Sequence, residues 1–107
     1  MLVHVIEIPV SSYKYRRVAR SVLEVLEEAG WEILSAEETR ARSKGVPVEV
    51  VLTSGDPANK ILSVTKSKSC DCIVMGKRGR GRIQRLLLGS VSDQVARLSE
   101  VPVVIVK

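Results

Sequence analysis

A chain of 107 residues has room for one modest domain, spanning 1–107, and 45% apolar with 27% charged residues excludes a disordered polymer. Its apolar runs fall well short of the ~20 residues that cross a bilayer, and no basic-then-apolar leader opens it, so a cytoplasmic protein with no membrane partner is expected. The net charge of +5 is local, because residues 77 to 85 hold five of the 17 basic residues and none of the 12 acidic ones. The excess therefore points to an anionic ligand at that place rather than to a surface coated in positive charge.

In chain order, residues 2 to 8, LVHVIEI, read as a strand stopped by Pro9, with Val3, Val5 and the stem of His4 expected inside. His4 has no Ser, Cys or carboxylate partner that would make it a catalytic base, and reads as a half-buried structural histidine. Residues 13 to 44 read as one long helix. Val18, Val22, Val25, Ala29, Ile33 and Ala36 recur at helical spacing and form the expected buried stripe. Gly30 interrupts the propensity but not the phase. The Tyr13-Lys14-Tyr15-Arg16-Arg17 cluster reads as a solvated face, although basic residues at a helix N-terminus oppose the helix dipole. Gly45 ends the helix.

Val46 to Thr53 reads as a second strand, rich in valine. Asp56 followed by Pro57 starts a second helix, with Ile61, Leu62, Val64 and Thr65 as its buried face. Cys70 and Cys72 fall on one side of the chain as small apolar fillers. A C-x-C pair with His4 as the sole histidine does not supply the four ligands of a structural zinc site, so no metal site is assigned. Cys72 to Met75 reads as the third strand, residues lined by Val91, Val95, Ala96 and Leu98 as the last helix, and Val101 to Val106 as the last strand. The order βαβαβ-loop-αβ implies an α/β fold, a doubly wound parallel sheet of about four strands with helices on both faces. Ligands of such sheets bind beyond the carboxyl ends of the strands.

The stretch at that end is VMGKRGRGRIQRLLLGS, residues 74 to 90. Its glycines permit tight turns and close approach to a ligand, and Ser90 suits the N-cap of the following helix, whose first N–H groups carry partial positive charge. Strand, glycine-rich loop and helix N-terminus are a recurring phosphate site. The spacing Gly76-x2-Gly79-x9-Gly89-Ser90 resembles the G-2x-G-9x-G-S/T pattern of the ATP-binding class of universal stress proteins. HVIEIP, SGDPANKIL, CDCIVMG, LLLGSVSDQV and VPVVIVK also look like segments of that family, so the resemblance covers most of the chain.

The resemblance implies an adenine nucleotide alpha hydrolase-like fold and ATP, with or without Mg2+, as the ligand. Gly76 and Gly79 would let the loop backbone wrap the phosphates. Gly89, Ser90 and Val91 would present the helix N-terminus, Lys77, Arg78 and Arg80 would supply charge, and Met75 and Val5 would flank the base. It further implies a homodimer through the C-terminal strand, 102–106, and a stress or regulatory role. Family members carry a further strand and helix before the segment that resembles residues 1 to 8. That strand is central in the order 3-2-1-4-5 and ends in an aspartate that contacts the adenosine. The expectation is thus an intact phosphate half and an impaired nucleoside half. The sheet would either close up in the order 2-1-3-4, numbered in this chain, which is favoured here together with dimerisation, or take a strand from another chain.

No catalytic residue is assigned. There is no G-x-x-x-x-G-K-[ST] loop and no carboxylate or histidine placed to orient a water, so turnover is expected to be very slow or absent. Two alternatives stand beside the nucleotide reading. The basic loop could bind nucleic acid, but the stacking aromatics that normally help are missing, since Trp31, Tyr13 and Tyr15 are distant in sequence from it. The chain could also be a ligand-free dimeric interaction protein with a vestigial site.

Overall fold

A computed structural model describes residues 1–7, 16–76 and 89–106, with residues 16–20 as backbone only. They fall into two compact units, Met1–Asp56 and Pro57–Lys107. The element order is β1 (Leu2–Glu7), α1 (Arg16–Ser43), β2 (Val50–Gly55), α2 (Pro57–Ser67), β3 (Ile73–Gly76), α3 (Ser90–Leu98) and β4 (Val103–Val106). This is the alternating α/β order expected, and every strand pairing is parallel. The described strands form two two-stranded sheets, β1–β2 and β3–β4. These are the outer pairings of the order 2-1-3-4.

In the first unit β1 pairs with β2 in a register that sets His4 opposite Leu52 and Val5 opposite Thr53. Helix α1 packs on both strands. Its contact point is Gly30, which is buried. A Cβ there would lie 2.7 Å from Leu52 Cδ1 and 3.0 Å from His4 Cδ2. The covered face of β1 is therefore Leu2, His4 and Ile6, of which Ile6 is buried, whereas Val3 is exposed. This reverses the expectation for Val3, while the imidazole of His4 is half-buried as expected. The reason is period two: once the helix lies over His4, Val3 and Val5 must face the other way.

Helix α1 runs unbroken through Gly30 and ends in a Schellman motif. Gly45, at φ +76°, donates its N–H to Arg42 O, and Val46 donates to Ala41 O, both at 3.0 Å. The buried face of α1 is not the stripe expected from its periodicity. Gly30 and Leu34 are buried and Leu23 and Ala41 half-buried; of the expected stripe Ile33 is half-buried, Val22, Val25, Ala29 and Ala36 are exposed, and the side chain of Val18 lies outside those described. Leu23, Gly30, Leu34 and Ala41 are spaced by seven, four and seven residues, a helical face centred on the glycine that approaches the sheet. Strand β2 begins at Val50 rather than Val46, which is exposed and followed by Pro47, a residue with no N–H to give a ladder.

In the second unit Pro57 takes the first position of α2, as expected. Ala58, Ile73 and Val95 form the core, with Ile61, Leu62, Met75, Val91, Val101 and Val103 packed around them. Val95 is fully buried, a contribution of about 2 kcal/mol from its side chain. Ala96 and Leu98, expected inside, are exposed, and Ser92 is buried in their stead. Chain continuity from α3 into β4 is held by Ser99, whose N–H bonds Val95 O at 2.9 Å and whose hydroxyl accepts the N–H of Val101 at 3.1 Å. The cysteines are free thiols, Cys70 half-buried and Cys72 exposed. They are not core fillers, because both precede β3, which starts at Ile73.

Candidate functional site at the β3–α3 junction

Strand β3 ends in Gly76, which opposes Val106 of β4. The carbonyl of Gly76 accepts a hydrogen bond of 2.7 Å from the hydroxyl of Ser92. Ser92 is 2% exposed and is the third residue of α3. A single short bond from the buried Ser92 hydroxyl thus ties the end of the strand to the first turn of the helix. Residues 77 to 88 are the covalent connection between these two anchored points.

Helix α3 begins one residue earlier than expected. Asp93 N–H bonds Gly89 O at 2.9 Å, which makes Gly89 the N-cap and Ser90 the first helical residue. Gly89 sits in an extended conformation and makes no side-chain cap. Gly89 has no side chain to cap the first-turn N–H groups, which carry the positive end of the helix dipole. Asp93 brings one negative charge to this turn, held by Arg97 at 3.1 Å one turn later.

Of the residues singled out in the sequence, Met75, Gly76, Gly89, Ser90 and Val91 lie in this unit. Gly76 and Ser90 are exposed, while Gly89 is half-buried. Met75 and Val91 are half-buried and pack on the Ala58–Ile73–Val95 core. Val5 lies in the first unit, on the face of β1 away from α1, and is half-buried. Lys77, Arg78, Gly79 and Arg80 lie outside the described residues. Ser92 was not singled out, although a serine three residues before Val95 on the apolar side of a helix is a signal for a buried hydrogen bond.

At the opposite end of the same strands lies a cavity of about 270 Å³ lined among others by Leu62, Thr65, Cys70, Leu98 and Val101. Among the described residues no group of three or more His, Cys, Asp or Glu is placed to hold a metal ion. No described helix is long and apolar enough to cross a membrane.

The family model described as "Universal stress protein family" matches residues 1–107, both units included. The chain is 39% identical over 82 residues to the universal stress protein YxiE of Bacillus subtilis, covering 77% of this chain and 55% of that protein. It is 37% identical over 86 residues to the universal stress protein MJ0531 of Methanocaldococcus jannaschii, covering 80% and 51%. The chain thus spans about half the length of the curated relatives it matches. Among solved structures it is similar to the hypothetical protein MJ0577, the subject of a structure-based assignment of biochemical function, with a TM-score of 0.88 and 25% identity over 99% of this chain and 73% of that one. It is also similar to the hypothetical protein PH0823, with a TM-score of 0.72 at the same identity and coverage. With a family match over its whole length, this chain belongs to the universal stress protein family.

Proposed function

We propose that the protein binds ATP or a related adenine nucleotide through its phosphates, at the junction of β3 and α3, in a stress-response or regulatory role. The observation that carries this reading is the Ser92–Gly76 bond, which holds the end of β3 against a helix start whose N-cap is a glycine. A preorganised strand end beside uncapped first-turn N–H groups suits an anion. Five basic residues between 77 and 85 add charge that suits a polyphosphate, and the Gly76-x2-Gly79-x9-Gly89-Ser90 spacing supports the same reading. Gly76 and Gly79 give the loop its freedom, Gly89 and Ser90 offer backbone and hydroxyl donors, and Lys77, Arg78 and Arg80 neutralise phosphate charge. Mg2+ bound with the nucleotide would add to this neutralisation of phosphate charge.

The protein acts in this reading as a nucleotide carrier or sensor in the cytoplasm, with turnover that is very slow or absent. It pairs as a homodimer through residues 102–106, where Val104 and Val106 are exposed on β4. Titration of ATP near physiological salt, beside the Gly79→Val variant, tests the site. Micromolar binding, about −8 kcal/mol, is expected for the native chain and loss of it for the variant. Equal binding by both would sink the loop assignment. Tight RNA binding that falls steeply with salt and ignores ATP would favour the nucleic-acid alternative that the charge of the loop also suits.

A further inference from the structure

Cys70 and Cys72 pack in no core, and the site at the β3–α3 junction makes no use of them. Both are free thiols, Cys70 half-buried and Cys72 exposed. They stand in the connection between α2, which ends at Ser67, and β3, which starts at Ile73. Ser69, at φ +52°, turns the chain out of the helix. The stretch that carries the thiols is then pinned at both ends. Cys70 donates its N–H to Thr65 O, and Ile73 donates its N–H to Pro102 O, each at 2.9 Å. Between these two bonds the chain bends at the exposed Asp71. Two residues of fully extended chain span about 7 Å. A bend shortens that span toward the separation of about 4.4–6.8 Å between Cα atoms that a disulfide needs. Neither thiol is sealed off. Cys70 lines the cavity of about 270 Å³ between the ends of α2 and α3. The Cys72 sulfur has only a weak contact with Ile73 O, at 3.7 Å.

We propose that Cys70 and Cys72 form a reversible dithiol switch, closed to an intramolecular disulfide by exchange with a low-molecular-weight disulfide. The exposed Cys72 thiolate attacks one sulfur of that disulfide. The small S–S bond breaks, a mixed disulfide forms on Cys72, and one small thiol leaves with a proton. The Cys70 thiolate then attacks the Cys72 sulfur and expels the second small thiol, which also takes a proton. Two protein thiols are oxidised by two electrons in all, and the small disulfide is reduced to two thiols. The backbone bonds at Cys70 and Ile73 keep the second thiol beside the first, so the closing step is intramolecular and outruns attack by a second small disulfide. The ring that closes spans three residues. Such a short ring is strained and easily reduced, which suits a bond that forms and reopens rather than one that holds the fold.

Oxidised glutathione in excess is the probe, with the reaction quenched in acid and the denatured chain read by mass and free-thiol count. The native chain is expected to lose both thiols, to stay a single chain and to carry no glutathione. Excess reduced glutathione should then restore both thiols in full. Cys70→Ser removes the resolving thiol and should stop at one glutathione on Cys72. Cys72→Ser leaves only the half-buried thiol and should react about tenfold more slowly. A native chain carrying glutathione on both cysteines would overturn the proposal, as would a disulfide-linked dimer in place of the internal bond. Two thiols left unreacted in the native chain would overturn it as well. The decisive arm uses the native chain, so it does not depend on the folding of a variant, and circular dichroism checks the fold of the two serine variants.

Discussion

Ser92 links two elements that the chain separates by residues 77 to 88. Its hydroxyl is buried and donates to Gly76 O at 2.7 Å, so its removal leaves a strand-end carbonyl with one partner fewer and removes the hydrogen bond that fixes the first turn of α3 against the end of β3. Ser92→Ala is expected to lower the stability of the protein by about 1–2 kcal/mol, read as a lower urea midpoint at unchanged slope, and to weaken ATP binding by more than Ser90→Ala does. A native-like midpoint would mean that the bond does not hold the junction. Gly30 shows the other limit of reading residues singly. Helix propensity marks it as a weak point, yet a Cβ there would meet Leu52 and His4 at once and both side chains would have to shift. Only the partner across the interface explains the glycine, and no local signal names that partner.

At the scale of elements, type and order were legible while burial was less so. Pro57 opened α2 and Gly45 closed α1 where turn chemistry said they would. The closing glycine gives a clean test, since nothing lies within 4 Å of a Cβ added there and only the positive φ opposes one. Gly45→Ala should cost about 1 kcal/mol of stability, and Gly45→Asn less, in denaturant unfolding followed by circular dichroism. An unchanged Gly45→Ala protein would contradict the Schellman end. Helix α1 was recognised by its apolar period, but it carries two apolar stripes and the wrong one was assigned to the sheet. Periodicity reports that a stripe exists, not what lies opposite it. Strand β1 fails in the same way: one alternating pattern fits either face, and the position of α1 over His4 chose between them. Ser90 was misread by one position because a serine and a glycine both suit an N-cap, and the Asp93–Gly89 bond decides.

At the scale of the whole molecule, family membership was readable because it rests on spacing along the chain. The Gly76-x2-Gly79-x9-Gly89-Ser90 pattern needs no tertiary knowledge, and the family match over 1–107 agrees with it. The β1–β2 and β3–β4 ladders were readable because each follows from a local βαβ unit. The localisation of all five excess charges between 77 and 85 belongs to this scale too, because it concentrates positive charge in the stretch of sequence after Gly76. A ligand held there should be recognised mainly by its phosphates. The most direct test is competition between tripolyphosphate and bound ATP on the native chain. Displacement of ATP at concentrations within about tenfold of its own Kd, a difference of about 1.4 kcal/mol, is the predicted result. Displacement by adenosine with no effect of tripolyphosphate would contradict the account, because the junction of β3 and α3 would then not be where the nucleotide is held.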